Sequence, residues 1–270
     1  MAVGEGIESE VHDVPDHLIQ RWTRRERVFL MLAGVFLGAM AMLNIISITR
    51  FIQLGPLSLA VGVLPYPLTF LCTDLISELY GQRRANWVVW VGLGVNLLVI
   101  GVMWLGHQVS SVPPDVQAPW QTLQLSQPVF LPDGNKAEGS VELYTLIYSC
   151  TSGAVFASML AYMAAQFCDV YLFHFWKRLT RGRHLWLRNN GSTLVSQLVD
   201  ATMVIGVTFG AAFLRGDMTL RVLLGLLLSN YLFKMAAALL DTIPFYLLVG
   251  WLRRYLELPD GVEVDGSTLG

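Results

Sequence analysis

The sequence predicts an all-α protein, a polytopic membrane helix bundle with six transmembrane helices and both termini in the cytoplasm. Its composition is the first ground: 54% of the 270 residues are hydrophobic and 14% charged, with a mean hydropathy of +0.53, which suits a bilayer better than water. The apolar residues are gathered into six runs, each near or above the roughly 20 residues that a spanning helix needs. The polar joints between those runs alternate in charge. Positive residues collect on every second one.

The chain divides into a polar tail (1–27), a six-helix domain (28–255, with an outward loop at 107–140) and a second tail (256–270). Residues 1–20 are rich in Glu and Asp and read as a loosely attached segment. Arg21, Arg24, Arg25 and Arg27 precede the first run, about Val28 to Ile48, which is too long and too late for a cleavable signal. The second run, about Leu57 to Tyr80, is interrupted by Pro65-Tyr66-Pro67, whose prolines break a helical ladder and suit a helix beside a cavity. Tyr80-Gly81 ends it, and Arg83-Arg84 follow.

A third run covers about Ala85 to Gly106. The segment from His107 to Ser140 is too polar and proline-rich to enter the bilayer and reads as a loop with at most a short surface helix. A fourth run goes from about Val141 to Phe175, and Lys177, Arg178, Arg181, Arg183 and Arg188 form the next connection. The fifth (about Ser192 to Phe213) and sixth (about Leu220 to Leu252) are joined by Arg215-Gly216-Asp217, and Arg253-Arg254 close the last. Thirteen lysines and arginines fall on the side of the termini and four on the other, so the termini face the cytoplasm and the long loop faces outward. Cys72, Cys150 and Cys168 lie singly in apolar runs and read as small buried residues.

Within the runs the ionisable residues are Asp74, Glu78, Asp169, Asp200, Lys234 and Asp241. Helical rise from the nearest cytoplasmic basic residue puts Asp169 and Asp74 at about 12–13 Å depth and Asp200 and Asp241 at about 18 Å. That spacing predicts one carboxylate layer, with Glu78 lower, near the surface. Gln166 and Asp169 are three apart, as are Gln197 and Asp200, so each pair shares a helix face. A charge inside a bilayer is costly, and one Lys234 cannot neutralise all of these carboxylates. A polar binding site inside the bundle accounts for them.

Each residue also has a plainer reading. Lys234 and Asp241, two turns apart, could be an ion pair that holds helices together; Glu78 could pair with Arg83 or Arg84; Asn96 reads first as a helix–helix hydrogen bond. As a site, the carboxylates and glutamines offer paired acceptors with amide donors beside them. A guanine-like base, with adjacent N–H donors and a carbonyl, fits that set and could stack on Tyr66, Phe70 or Tyr231. A cationic amine or a proton relay fits the carboxylates equally well.

At these residues the sequence resembles the queuosine precursor transporters, a vitamin-uptake-transporter-like family of six-span bacterial membrane proteins. The resemblance covers roughly 28–255 and is carried by Thr73-Asp74-Leu75-Ile76-Ser77-Glu78-Leu79-Tyr80-Gly81 with its basic sequel. Ser152-Gly153, Gln166, Asp169, Trp186-Leu187-Arg188-Asn189-Asn190, Ser192-Thr193, Ser196-Gln197, Asp200, Lys234 and Asp241-Thr242-Ile243-Pro244 add to it.

The resemblance implies import of deazaguanine bases, the cyano and aminomethyl precursors of queuosine, across the bacterial inner membrane by alternating access. Asp74, Gln166, Asp169, Gln197 and Asp200 would hold the base edge. Lys234 and Asp241 would form a gating or charge-balancing pair, with Asn44 a secondary contact. The implied partners are the small-molecule base and the lipid bilayer, with no nucleic acid and no cofactor. A homo-oligomer and an energising partner remain open, because the family is related to binding subunits of energy-coupled vitamin importers. The chain has no phosphate-binding glycine loop of its own. An intramembrane enzyme holding Mg²⁺ is the rival class; its usual Asp-x-x-Asp clusters are absent, and the acids stand singly on four runs.

Overall fold

The computed structural model describes residues 16–46, 49–54, 57–113, 115–131, 135–214, 216 and 219–258. Five long helices dominate: α1 (Asp16–Ile46), α2 (Tyr66–Gln108), α3 (Leu143–Leu179), α4 (Leu185–Leu214) and α5 (Leu220–Tyr255). α1, α2 and α5 are long and apolar enough to cross a membrane. The acidic segment 1–15 and the end of the chain from 259 lie outside the described residues. Residues 16–27, read above as tail, are the first turns of α1.

α2 holds both the second and the third apolar runs. Its backbone breaks at Gly81 (φ 81°, ψ 170°), a conformation open essentially to glycine alone. Cross-helix contacts show that the chain reverses there. Tyr80 Oη donates to the Arg25 carbonyl at 2.8 Å, and Arg84 pairs with Glu26 at 2.8 Å. Sixteen positions past Tyr80, Asn96 accepts a 2.7 Å bond from Asn44 Nδ2 near the other end of α1. The arm 82–108 therefore runs parallel to α1. The arm 66–80 runs against it, since Tyr66 meets Asp200 and Glu78 meets Arg188 on the ascending α4. Counting the two arms separately, six helical segments alternate in direction, and both ends of the helical domain meet: Arg21 and Arg24 on α1 pair with Glu257 just beyond α5.

The short arm begins later than the sequence suggests. Leu57–Ala60 (β2) pairs antiparallel with Phe51–Leu54 (β1) instead of opening a helix, and a single tight turn at Val61–Val63 follows. Pro65 takes the cap position and Pro67 lies in the first turn, where a missing N–H costs nothing because no carbonyl precedes it in the ladder. Each proline would break that ladder if the helix started at Leu57. The arm of 15 residues is about 22 Å long, against about 40 Å for its continuation 82–108. It starts part-way down the bundle.

The segment between α2 and α3 departs from expectation too. Among its described residues it contains strands, not a surface helix: Thr122–Gln124 (β3) with Ser140–Glu142 (β6), and Val129–Phe130 (β4) with Lys136–Ala137 (β5). α4 begins at Leu185, so Arg188, Asn189 and Asn190 are helical and not part of a connection.

The core centres on the short arm. Phe70, Leu75, Ile76 and Leu79 pack with Phe36 and Met40 of α1, Phe173 of α3 and Phe245 of α5. Gly92 lets α1 approach: a Cβ there would lie 2.9 Å from Met40 Sδ. Outward faces carry large exposed apolar side chains, among them Leu98, Val102, Leu228, Leu240 and Leu247, as a bundle meeting lipid requires.

Candidate functional site

Three helices enclose a cleft. The short arm contributes Tyr66, Pro67, Phe70 and Asp74; α4 contributes Asn189, Thr193 and Gln197; α5 contributes Lys234, Ala237, Ala238 and Asp241. The periodicity explains why these side chains share a space. Positions 66, 70 and 74 stack on one face of their helix, as do 189, 193 and 197 on theirs, and 234, 237, 238 and 241 do the same on α5. Ala237 and Ala238 leave the room that longer side chains would fill. The cleft is nearly closed: its room for a water-sized sphere is about 20 Å³, enough for about one water, so a larger ligand requires the helices to part.

At its upper part Asp200 accepts a 2.6 Å hydrogen bond from Tyr66 Oη. Lys234 Nζ forms an ion pair with the same oxygen, Oδ2. The ammonium also lies over the Tyr66 ring, 4.7 Å from its centroid, a cation–π geometry. Tyr66 and Phe70 are tilted neighbours, with ring centroids 5.3 Å apart.

Eight residues down the short arm, Asp74 defines the middle level. Thr193 Oγ1 stands 3.5 Å from Asp74 Oδ2, and Asp169 of α3 is within hydrogen-bond reach. Asp169 lies behind the cleft wall and accepts a 3.0 Å bond from Ser196 Oγ. Gln166 is fully buried beside Thr73, its Oε1 3.2 Å from the hydroxyl. Three side chains that line the cleft keep oxygens without a donor: Asp74 Oδ1, Asn189 Oδ1 and Gln197 Oε1. None of the three residues is more than 4% exposed.

The lower level is a buried ion cluster. Glu78 receives Arg253 of α5 at 2.6 Å, Arg188 of α4 at 3.2 Å and Lys177 of α3 at 3.6 Å. Four helical segments meet at this carboxylate, one turn along the short arm from Asp74 and toward the end of the bundle where Arg21 and Arg24 meet Glu257.

Several sequence-based expectations need correction. The carboxylates do not share one layer. Asp74, Asp169 and Asp241 sit together, while Asp200 is about 10 Å further along α4, because the short arm places Asp74 opposite Thr193 and Tyr66 opposite Asp200. Lys234 pairs with Asp200, not Asp241, since two turns separate it from the latter along α5. Glu78 lies outside the cleft and pairs with neither Arg83 nor Arg84; Arg84 is held by Glu26. Asn44 is bound to Asn96 between α1 and the long arm of α2, away from the cleft. Tyr231 is half-buried one turn above Lys234 and is not part of the lining. Asn189 and Thr193 line the cleft without having been marked as candidates. Their four-residue spacing with Gln197, a polar stripe through an apolar helix, is the signal that identifies them.

Residues 60–249 match the protein family described as "Putative vitamin uptake transporter". The chain belongs to that family. Its members are transporters, and the apolar helices of this one are those of a membrane protein. A relative from Bacillus subtilis (strain 168), named "Probable queuosine precursor transporter", is 27% identical over 208 residues, which cover 77% of this chain and 79% of the relative. No solved structure matches the chain.

Proposed function

We propose that this family member imports queuosine precursors, 7-deazaguanine bases in their cyano and aminomethyl forms, by alternating access around the cleft. The observation that carries the reading is the set of buried, unpartnered acceptors on Asp74, Asn189 and Gln197 beside the rings of Tyr66 and Phe70. Buried polar groups are ordinarily paired. An amino-pyrimidinone edge brings several N–H donors together, and its flat face stacks on an aromatic ring. The name of the Bacillus subtilis relative supports the same substrate.

In this reading the six helical segments cross the inner membrane of a bacterium with both termini in the cytoplasm, the side favoured by thirteen of the eighteen basic residues. The Glu78 cluster is then the cytoplasmic seal, and the cleft is reached from the outer side until that cluster parts. The membership of a vitamin-uptake family supports a second version, in which this chain is the binding subunit of an importer for another vitamin or nucleobase, energised by a separate ATPase.

Growth rescue tests the reading. A bacterial strain unable to make or take up precursors, given this gene and either precursor, should regain queuosine in its tRNA. Persistent absence of queuosine, with the protein present in the membrane, would sink the proposal.

A further inference from the structure

We propose that Asp241 binds the ammonium group of an amine-bearing base, so that the carrier selects the aminomethyl form of the precursor over the cyano form. The inference rests on the transport reading above and assigns its specificity to one side chain.

The argument is a census of charge in the cleft. Among the described residues Lys234 is the one cation in the lining, and Asp200, behind the wall and 1% exposed, already balances it. The positive charge of that pole is therefore spent. Asp74 and Asp241 are the carboxylates in the lining, and among the described residues neither has a cationic partner. Asp241 has no hydrogen bond there either, while the next residue, Thr242, is turned to Asn190 by a 2.8 Å bond that fixes this stretch of α5 against α4. The other nearby cations, Lys177, Arg188 and Arg253, are bound to Glu78 at the level below. Asp241 is thus an uncompensated carboxylate at a partly buried site, and a ligand cation would relieve it.

The neighbouring groups show what kind of cation fits. Asp74 Oδ1, Asn189 Oδ1 and Gln197 Oε1 are buried acceptors in need of donors, and among the described residues no three His, Cys, Asp or Glu side chains are grouped to hold a metal ion instead. A base edge fills them with N–H groups, and an aminomethyl arm adds three N–H bonds and a positive charge for Asp241. A nitrile offers an acceptor only. Placed against Asp241 it brings lone pair to carboxylate, and placed at the upper pole it finds Lys234 already held by Asp200 and Tyr66.

The test uses the full-length protein in proteoliposomes, with labelled aminomethyl precursor competed by unlabelled cyano precursor and the reverse. The wild type should favour the aminomethyl form by about tenfold or more, the scale of one charge-assisted hydrogen bond. Asp241→Asn should bring the two forms near parity, and Asp241→Glu should keep the preference. A neutral carboxamide at the same ring position, which offers N–H donors without the charge, should compete less well than the aminomethyl form. Wild-type parity, or preference for the nitrile, overturns the proposal whatever the variants do. So does an Asp241→Asn protein that still imports with the wild-type ratio. Entry of neither base overturns the transport reading itself and this inference with it, an outcome distinct from entry without selection.

Discussion

Lys234 and Asp200, on adjacent antiparallel helices, share one carboxylate oxygen with the hydroxyl of Tyr66. This joint ties α4, α5 and the first turn of the short arm at the upper part of the cleft. Lys234→Met alone leaves Asp200 buried with a single neutral partner, which costs about 3–5 kcal/mol in comparable buried pairs. The double variant Lys234→Met/Asp200→Leu removes both charges and should recover much of that loss, a coupling visible in melting curves of the detergent-solubilised protein. Additive losses would show that the pair contributes nothing as a pair. Asp200→Asn keeps the shape of the side chain but leaves Lys234 an unbalanced charge facing the substrate, so it should cost stability on the scale of Lys234→Met and abolish uptake.

Glu78 holds a different kind of joint, one carboxylate against three cations. Removing it in Glu78→Ala strands Lys177, Arg188 and Arg253 at a buried site, and we expect a loss of about 3–5 kcal/mol or failure to accumulate in the membrane. Glu78→Asp keeps the charge and should fold, with altered uptake because the seal is shorter by one methylene. Salt should change the stability of the wild type little, since buried pairs are poorly screened. A Glu78→Ala protein with an unchanged melting midpoint would contradict the cluster.

The sequence shows the helices clearly and the site only in part. Apolar runs of bilayer length and alternating charge set the number and direction of the segments, since both follow from local composition. Leu57–Ala60 departs from the helical expectation because a stretch as short as Leu-Ser-Leu-Ala carries no period that separates strand from helix. The expected single layer fails because Arg188, counted from as a surface flank, is buried on Glu78 inside the bundle, and the count from Arg83 to Asp74 crosses the non-helical Gly81. Partner choice lies beyond any single-chain count. Lys234 and Asp241 have helical spacing suited to a shared face, and only the packing of α5 on α4 turns the lysine to Asp200.

Asn189 and Gln197 give a sharper test of the cleft than the carboxylates do, because their variants change no charge. Asn189→Ala and Gln197→Ala each remove an acceptor that nothing among the described residues satisfies, so folding should be unaffected or slightly improved. Uptake should fall by about tenfold for each, the scale of one ligand hydrogen bond. The readout is initial uptake rate in proteoliposomes at matched protein content. Two variants with wild-type rates would remove these side chains from the site.

Gly81 is the hinge that makes the short arm possible. Its φ of 81° and ψ of 170° belong to a region that a side chain enters only with strain. Gly81→Ala should cost about 1–3 kcal/mol on that account. The damage should be local: the reversal places Tyr80 against Arg25 and Arg84 against Glu26, and those contacts open first if the turn relaxes toward a continuous helix. A straightened α2 of 43 residues would be about 65 Å long and would carry Asp74 away from α4. Hydrogen exchange should therefore rise in the peptides spanning 76–88 before any other part of α2, with uptake lost in proportion. Uniform exchange along α2 in Gly81→Ala would show that the break is set by the surrounding bundle and not by the glycine.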